Sequence, residues 1–139
     1  MKKKYLAINL ILFALLYFAV EFNKEFIRPI YGNTPFFGII TGSFSNFMAV
    51  YIISLFPIAA ILSKKPTIRK SRYIIYIVAL IVFLILTVEE FQPFFGASTV
   101  CDIYDIIANG LGAIFAIITF ELLLRKTKIF VLNYNRYKN

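Results

Sequence analysis

Four apolar runs, each bounded by charged residues, constrain this chain more than any other feature of it. A hydrocarbon core about 30 Å thick takes about 20 mostly apolar helical residues to cross, and the runs cover about 5–22, 44–62, 73–88 and 103–124. Of the 139 residues 60% are hydrophobic and 16% charged, and mean hydropathy is +0.80. Ordinary globular chains are roughly 45–50% apolar and about 25% charged, so a soluble enzyme is excluded. Disorder is excluded as well, because 16 Phe and 9 Tyr are far more aromatic side chains than a disordered segment carries. The expected fold class is all-α: a polytopic membrane protein with four transmembrane helices, residues 1–139 forming one domain.

The first run follows Lys2, Lys3 and Lys4 as a signal peptide would. Its end, Phe18 to Phe22, lacks the paired small residues of a cleavage site, so it reads as an uncleaved span. Pro57 kinks the second run or ends its regular part. Residues 23–43, with Pro29, Gly32, Pro35, Gly38 and Gly42 among aromatics, read as a turn-rich outer loop lying on the membrane or dipping into it. The tail after Arg125 mixes Phe130, Tyr134 and Tyr137 with basic residues and is expected along the interface.

Lys and Arg concentrate on the cytoplasmic side of membrane proteins. Thirteen of the fifteen lie before the first run, between the second and third, or after the fourth; only Lys24 and Arg28 lie elsewhere. Both termini and the middle loop are therefore expected in the cytoplasm. The net charge of +8 then follows from topology and from attraction to anionic lipids, with no nucleic acid partner. Glu21, Glu25, Glu89, Glu90, Asp102 and Asp105 fall at the outer surface, whereas Glu121 lies near the inner end, four residues before Arg125 and able to pair with it.

No His is present, and the one cysteine is Cys101. His-based acid–base catalysis and His or multi-Cys zinc sites are therefore absent within one chain. Cys101 lacks the His that activates a thiol nucleophile and reads as a packing residue. No catalytic residue and no cofactor are assigned.

The fourth run carries the chemistry. Asp102, Asp105, Asn109, Gly112 and Ala116 step by three, four, three and four, which at 3.6 residues per turn makes one stripe. Carboxylates in a membrane are expensive and normally face a protein interior or a wet cavity. Below them Gly112 and Ala116 form a small-xxx-small pair that admits a neighbouring helix. The third run ends in Glu89-Glu90-Phe91-Gln92-Pro93, with Glu89 and Gln92 on one face. A short link returns the chain, so Glu89, Gln92, Asp102, Asp105 and Asn109 are expected together as a ligand-binding cluster between the third and fourth spans. Glu90 reads as an interfacial charge. Each residue also has a structural reading: Asp102 as part of a Thr99–Asp102 helix cap, Asp105 and Asn109 as interhelical hydrogen bonders.

This spacing resembles the VanZ-like family of small bacterial membrane proteins. The family's signature reads roughly Glu-x-x-Gln, a turn, then Arg-x-x-(Ser/Asp)-x-x-Asp-x-x-x-Asn-x-x-Gly-x-x-x-Gly. Glu89, Gln92, Asp102, Asp105, Asn109 and Gly112 match in register; Thr99 stands where the family has arginine and Ala116 where it has the last glycine. The resemblance covers about residues 85–120. It implies a four-helix protein of the bacterial cytoplasmic membrane, part of the cell envelope and linked to resistance against glycopeptide antibiotics, but it supplies no reaction. Without the arginine, the acids lack their counter-charge; a bound cation, protonation, or Lys24 or Arg28 from the first outer loop could each make up the difference.

The function expected from these residues is non-enzymatic. The acidic and amide cluster would bind a lipid, a lipid-linked precursor or a glycopeptide-type drug, with membrane lipids as partners. Three alternatives stay open: a metal-dependent membrane enzyme using Glu89, Asp102 and Asp105 as oxygen ligands, a small transporter using Asp105 and Asn109 in a homo-oligomer, and a purely structural role.

Overall fold

The computed structural model describes the backbone of residues 2–64, 67–91 and 102–138, and side chains within 6–61, 67–91 and 102–125. Gln92, Thr99 and Cys101 lie outside the described residues. Among the described residues six α-helices follow one another: α1 (Lys2–Phe22), α2 (Arg28–Tyr31), α3 (Pro35–Leu55), α4 (Pro57–Lys64), α5 (Ile68–Phe91) and α6 (Ile103–Lys138). One π-turn, Asn23–Ile27, joins α1 to α2, and no strand occurs among the described residues. Four helical stretches are long and apolar enough to cross a membrane: Leu6–Tyr31, Pro35–Ile61, Ile68–Phe91 and Ile103–Arg125.

The expected loop over 23–43 is instead helix on both sides of a three-residue turn at Gly32, Asn33 and Thr34. Pro29 and Pro35 each occupy a first helical turn, where the missing N–H costs nothing. In lipid, the remaining backbone groups must bond within the segment. The turn is tied by Thr34 Oγ1 donating to Tyr31 O (2.7 Å) and Gly38 N–H donating to Thr34 O (2.8 Å). A Cβ on Gly38 would lie 2.5 Å from Gly32 O, so the returning helix can close this tightly only on a glycine. The π-turn inserts one residue into the helix, and at its start Asn23 is buried with Nδ2 donating to Thr41 O (2.7 Å). Pro57 acts as expected: α3 ends at Leu55 and α4 starts at the proline.

Helix α3 is central and packs against α1, α5 and α6. It runs parallel to α6. Phe47 meets Phe115 edge-on at 5.6 Å, and one turn further along both helices Tyr51 Oη and Thr119 Oγ1 are 3.1 Å apart. At the crossing, a Cβ on Gly112 would stand 2.5 Å from Phe47 O and 3.1 Å from Tyr51 N; Ala116 below it is wholly buried.

Helix α5 is antiparallel to α6. Arg72 Nη2 lies 2.7 Å from Glu121 Oε2, Tyr76 Oη donates to Glu121 Oε1 (2.9 Å), and farther along Phe83 comes next to Gly110. Glu121 was expected to pair with Arg125 on its own helix. Its direct partners lie across the helices, because α5 offers one to each carboxylate oxygen, while the charge of Arg125 still acts on it. At the same end Ile61, Ile75 and Phe120 form a small apolar core with Ile58, Ile117 and Leu124.

Most large apolar side chains elsewhere face outward, among them Phe18, Ile30, Leu84 and Phe115, as a lipid-covered surface requires. Helix α6 runs unbroken to Lys138, since no Gly or Pro follows Gly112 to stop it.

Candidate functional site

Helix α6 opens at Asp102, whose Oδ1 accepts the N–H of Tyr104 (2.9 Å). Its carboxylate is thus an N-cap. This differs from the Thr99-led cap expected, with Thr99 outside the described residues. Asp105 follows in the first turn, half-buried. One turn deeper on the same face, Asn109 is 0% exposed, and among the described residues neither its Oδ1 nor its Nδ2 has a hydrogen-bond partner. A buried amide without partners costs about 1–3 kcal/mol, so this position is anomalous for a residue of pure packing. Helical side chains lean toward the N-terminus of their helix, which carries the Asn109 amide toward the turn of Asp105.

The contribution of α5 comes from the neighbour of the residue expected. Glu90, read from the sequence as a plain interfacial charge, is half-buried, and its Oε1 accepts a hydrogen bond from Asn46 Nδ2 on α3 (2.8 Å). The charges of Asp105, Glu89 and Asp102 act on it. Glu89 itself is half-buried and makes no hydrogen bond or ion pair among the described residues. Gln92 lies outside them. The structure thus ties Glu90 to Asn46 on α3, with the charges of Asp105, Glu89 and Asp102 acting on it, while Asn109 stands one turn below Asp105 on the same face of α6.

Asn46 and Glu90 were the residues sequence reasoning passed over. A signal for Glu90 was present: Ala79, a small residue among large ones, marks the contact side of α5, and steps of four, three and four from it reach Phe83, Leu86 and Glu90. Asn46 is the sole amide in the second apolar run and invited the same treatment.

No Lys or Arg lies within ion-pair distance of Glu89, Glu90, Asp102 or Asp105 among the described residues. Lys24 pairs with Glu21 on its own helix at 3.6 Å, and Arg28 joins no ion pair there, so neither supplies the counter-charge. Among the described residues no three Asp, Glu or Cys side chains group closely enough to hold a metal ion.

A separate groove of about 360 Å³ runs between α3 and α6, lined by Ile39, Ser43, Phe44, Tyr104, Ile107 and Leu111. The pocket was expected between the third and fourth spans, whereas this one lies between the second and fourth. Its α6 residues occupy a different helix face from Asp105, Asn109 and Gly112, so it is distinct from the polar cluster. Compared with family models, with curated proteins and with solved structures, the chain matches none of them.

Proposed function

We propose that this chain is a non-enzymatic, VanZ-like integral membrane protein of the bacterial cytoplasmic membrane, whose polar cluster holds the head group of a membrane-borne amphiphile. Such ligands include a lipid, a lipid-linked precursor and a glycopeptide-type drug. The observation that carries the reading is Asn109, wholly buried and without partners, one turn from the half-buried Asp105 and on its face of α6. Asn9, Ser54 and Thr87 each hold one unpartnered buried atom among the described residues, and Asn109 alone has both of its polar atoms so, which a ligand would satisfy. The distribution of Lys and Arg supports an orientation with both termini cytoplasmic and the cluster at the outer surface. The register of Asp102, Asp105, Asn109 and Gly112 supports the family likeness. The metal-enzyme reading finds no ligand set among the described residues.

Native mass spectrometry of the protein extracted from its own membrane tests this. A co-purified amphiphile is expected on the wild type and lost from both Glu90→Gln and Asp105→Asn. Retention of the same species by all three, or of none by the wild type, overturns the reading.

A further inference from the structure

We infer that the cluster of Glu90, Asp105 and Asn109 takes the primary ammonium head group of a membrane lipid, an inference that rests on the ligand reading above. Three observations converge. Glu90, on which the charge of Asp105 acts, and Asp105 itself have no Lys or Arg within ion-pair distance among the described residues. Like charges in an apolar surround repel strongly, and a cation between them converts repulsion into attraction. Among the described residues no three carboxylates gather for a metal ion, whereas two carboxylates and one amide oxygen match in number the three N–H donors of a primary ammonium.

The third observation is the fully buried amide of Asn109, unpartnered at both atoms. Its Oδ1 can accept only from a group with a hydrogen to give, which selects a primary ammonium over a quaternary one. Its Nδ2 needs an oxygen acceptor close to that ammonium, and an ethanolamine phosphate places one two carbons away. Glu90 Oε1 is engaged by Asn46, which fixes the carboxylate and leaves Oε2 for the ligand. The source is the bilayer rather than solution, because exposed Val88, Phe91, Ile103 and Tyr104 surround the ends of α5 and α6 with apolar surface of the kind that lipid covers.

The test is a native mass spectrometry titration of delipidated protein with phosphatidylethanolamine, phosphatidylcholine and phosphatidylglycerol of identical acyl chains. Wild type is expected to prefer phosphatidylethanolamine by about tenfold, as one charge-assisted hydrogen-bond set would give. Glu90→Gln and Asp105→Asn are each expected to level the three. Equal binding of all three lipids by the wild type, a reading that needs no variant, overturns the inference. So does a preference that persists in both variants. Tightest binding of phosphatidylglycerol, lost in the variants, overturns the ammonium while leaving a ligand site in place; no lipid retained at all overturns both.

Discussion

At the scale of single residues, Glu121 and Glu90 represent opposite ways of keeping a carboxylate in an apolar helix. Glu121 has a partner for each oxygen, Arg72 and Tyr76. Glu90 has one amide and three acidic neighbours. The first arrangement is self-sufficient within the protein and should behave as structure. Arg72→Ala is expected to lower the melting temperature in detergent, since Glu121 then keeps only the tyrosine. The double variant Arg72→Ala, Glu121→Gln should recover part of the loss, because it removes the stranded charge along with its partner. Equal melting temperatures for the single and double variants would show that the pair contributes nothing. The stripe from Asp105 to Ala116 was legible in the sequence because helical periodicity alone places those residues together. The choice between Glu89 and Glu90 was not, because adjacent residues differ by about 100° around a helix and only the rotation of α5 against its neighbours decides which turns inward.

At the scale of elements, the crossing of α3 and α6 rests on one absent side chain. A methyl on Gly112 would collide with the Phe47 carbonyl and crowd Tyr51 N and Val50 Cβ, and backbone atoms cannot step aside as a flexible side chain can. Gly112→Ala is expected to destabilise by about 1–3 kcal/mol, as overpacking does. Gly110→Ala, two residues away, would meet only Phe83 Cε2 at 3.7 Å and should be close to neutral. Thermal melts of the two variants in one detergent provide the comparison, and matching losses would remove the role of the crossing. That small residues pack helices in membranes was readable from the sequence. The identity of the partner was not: the small-residue pair says only that some helix comes close, and the structure shows that helix to be α3. The first outer segment was misread for a related reason, since Pro and Gly that break helices in water sit comfortably in first turns and in lipid.

At the scale of the whole molecule, burial is unevenly shared. Only 6% of the first span's most apolar window is buried inside the protein, against 28% for the span built on α3 and α4. The first span is thus the least buried of the four, and among the described residues the buried hydrogen bond at its outer end runs from Asn23, in the π-turn after α1, to Thr41 O. Asn23→Ala should cost about 1 kcal/mol and speed amide exchange in α1 while leaving α5 and α6 unchanged. Uniform acceleration across all four spans would mean that α1 is integral to the core after all. The unbroken α6 has a mechanical consequence of its own. From the tight crossing at Gly112 to Lys138 the helix extends about 39 Å at 1.5 Å per residue, well past the short arm on the other side that carries Asn109 and Asp105. A tilt of about 5° about that crossing would sweep the far tip through about 3 Å and shift Asp105 by less than about 1 Å, and it would have to strain the Tyr51–Thr119 contact and the Arg72–Glu121 pair that hold the helix in between.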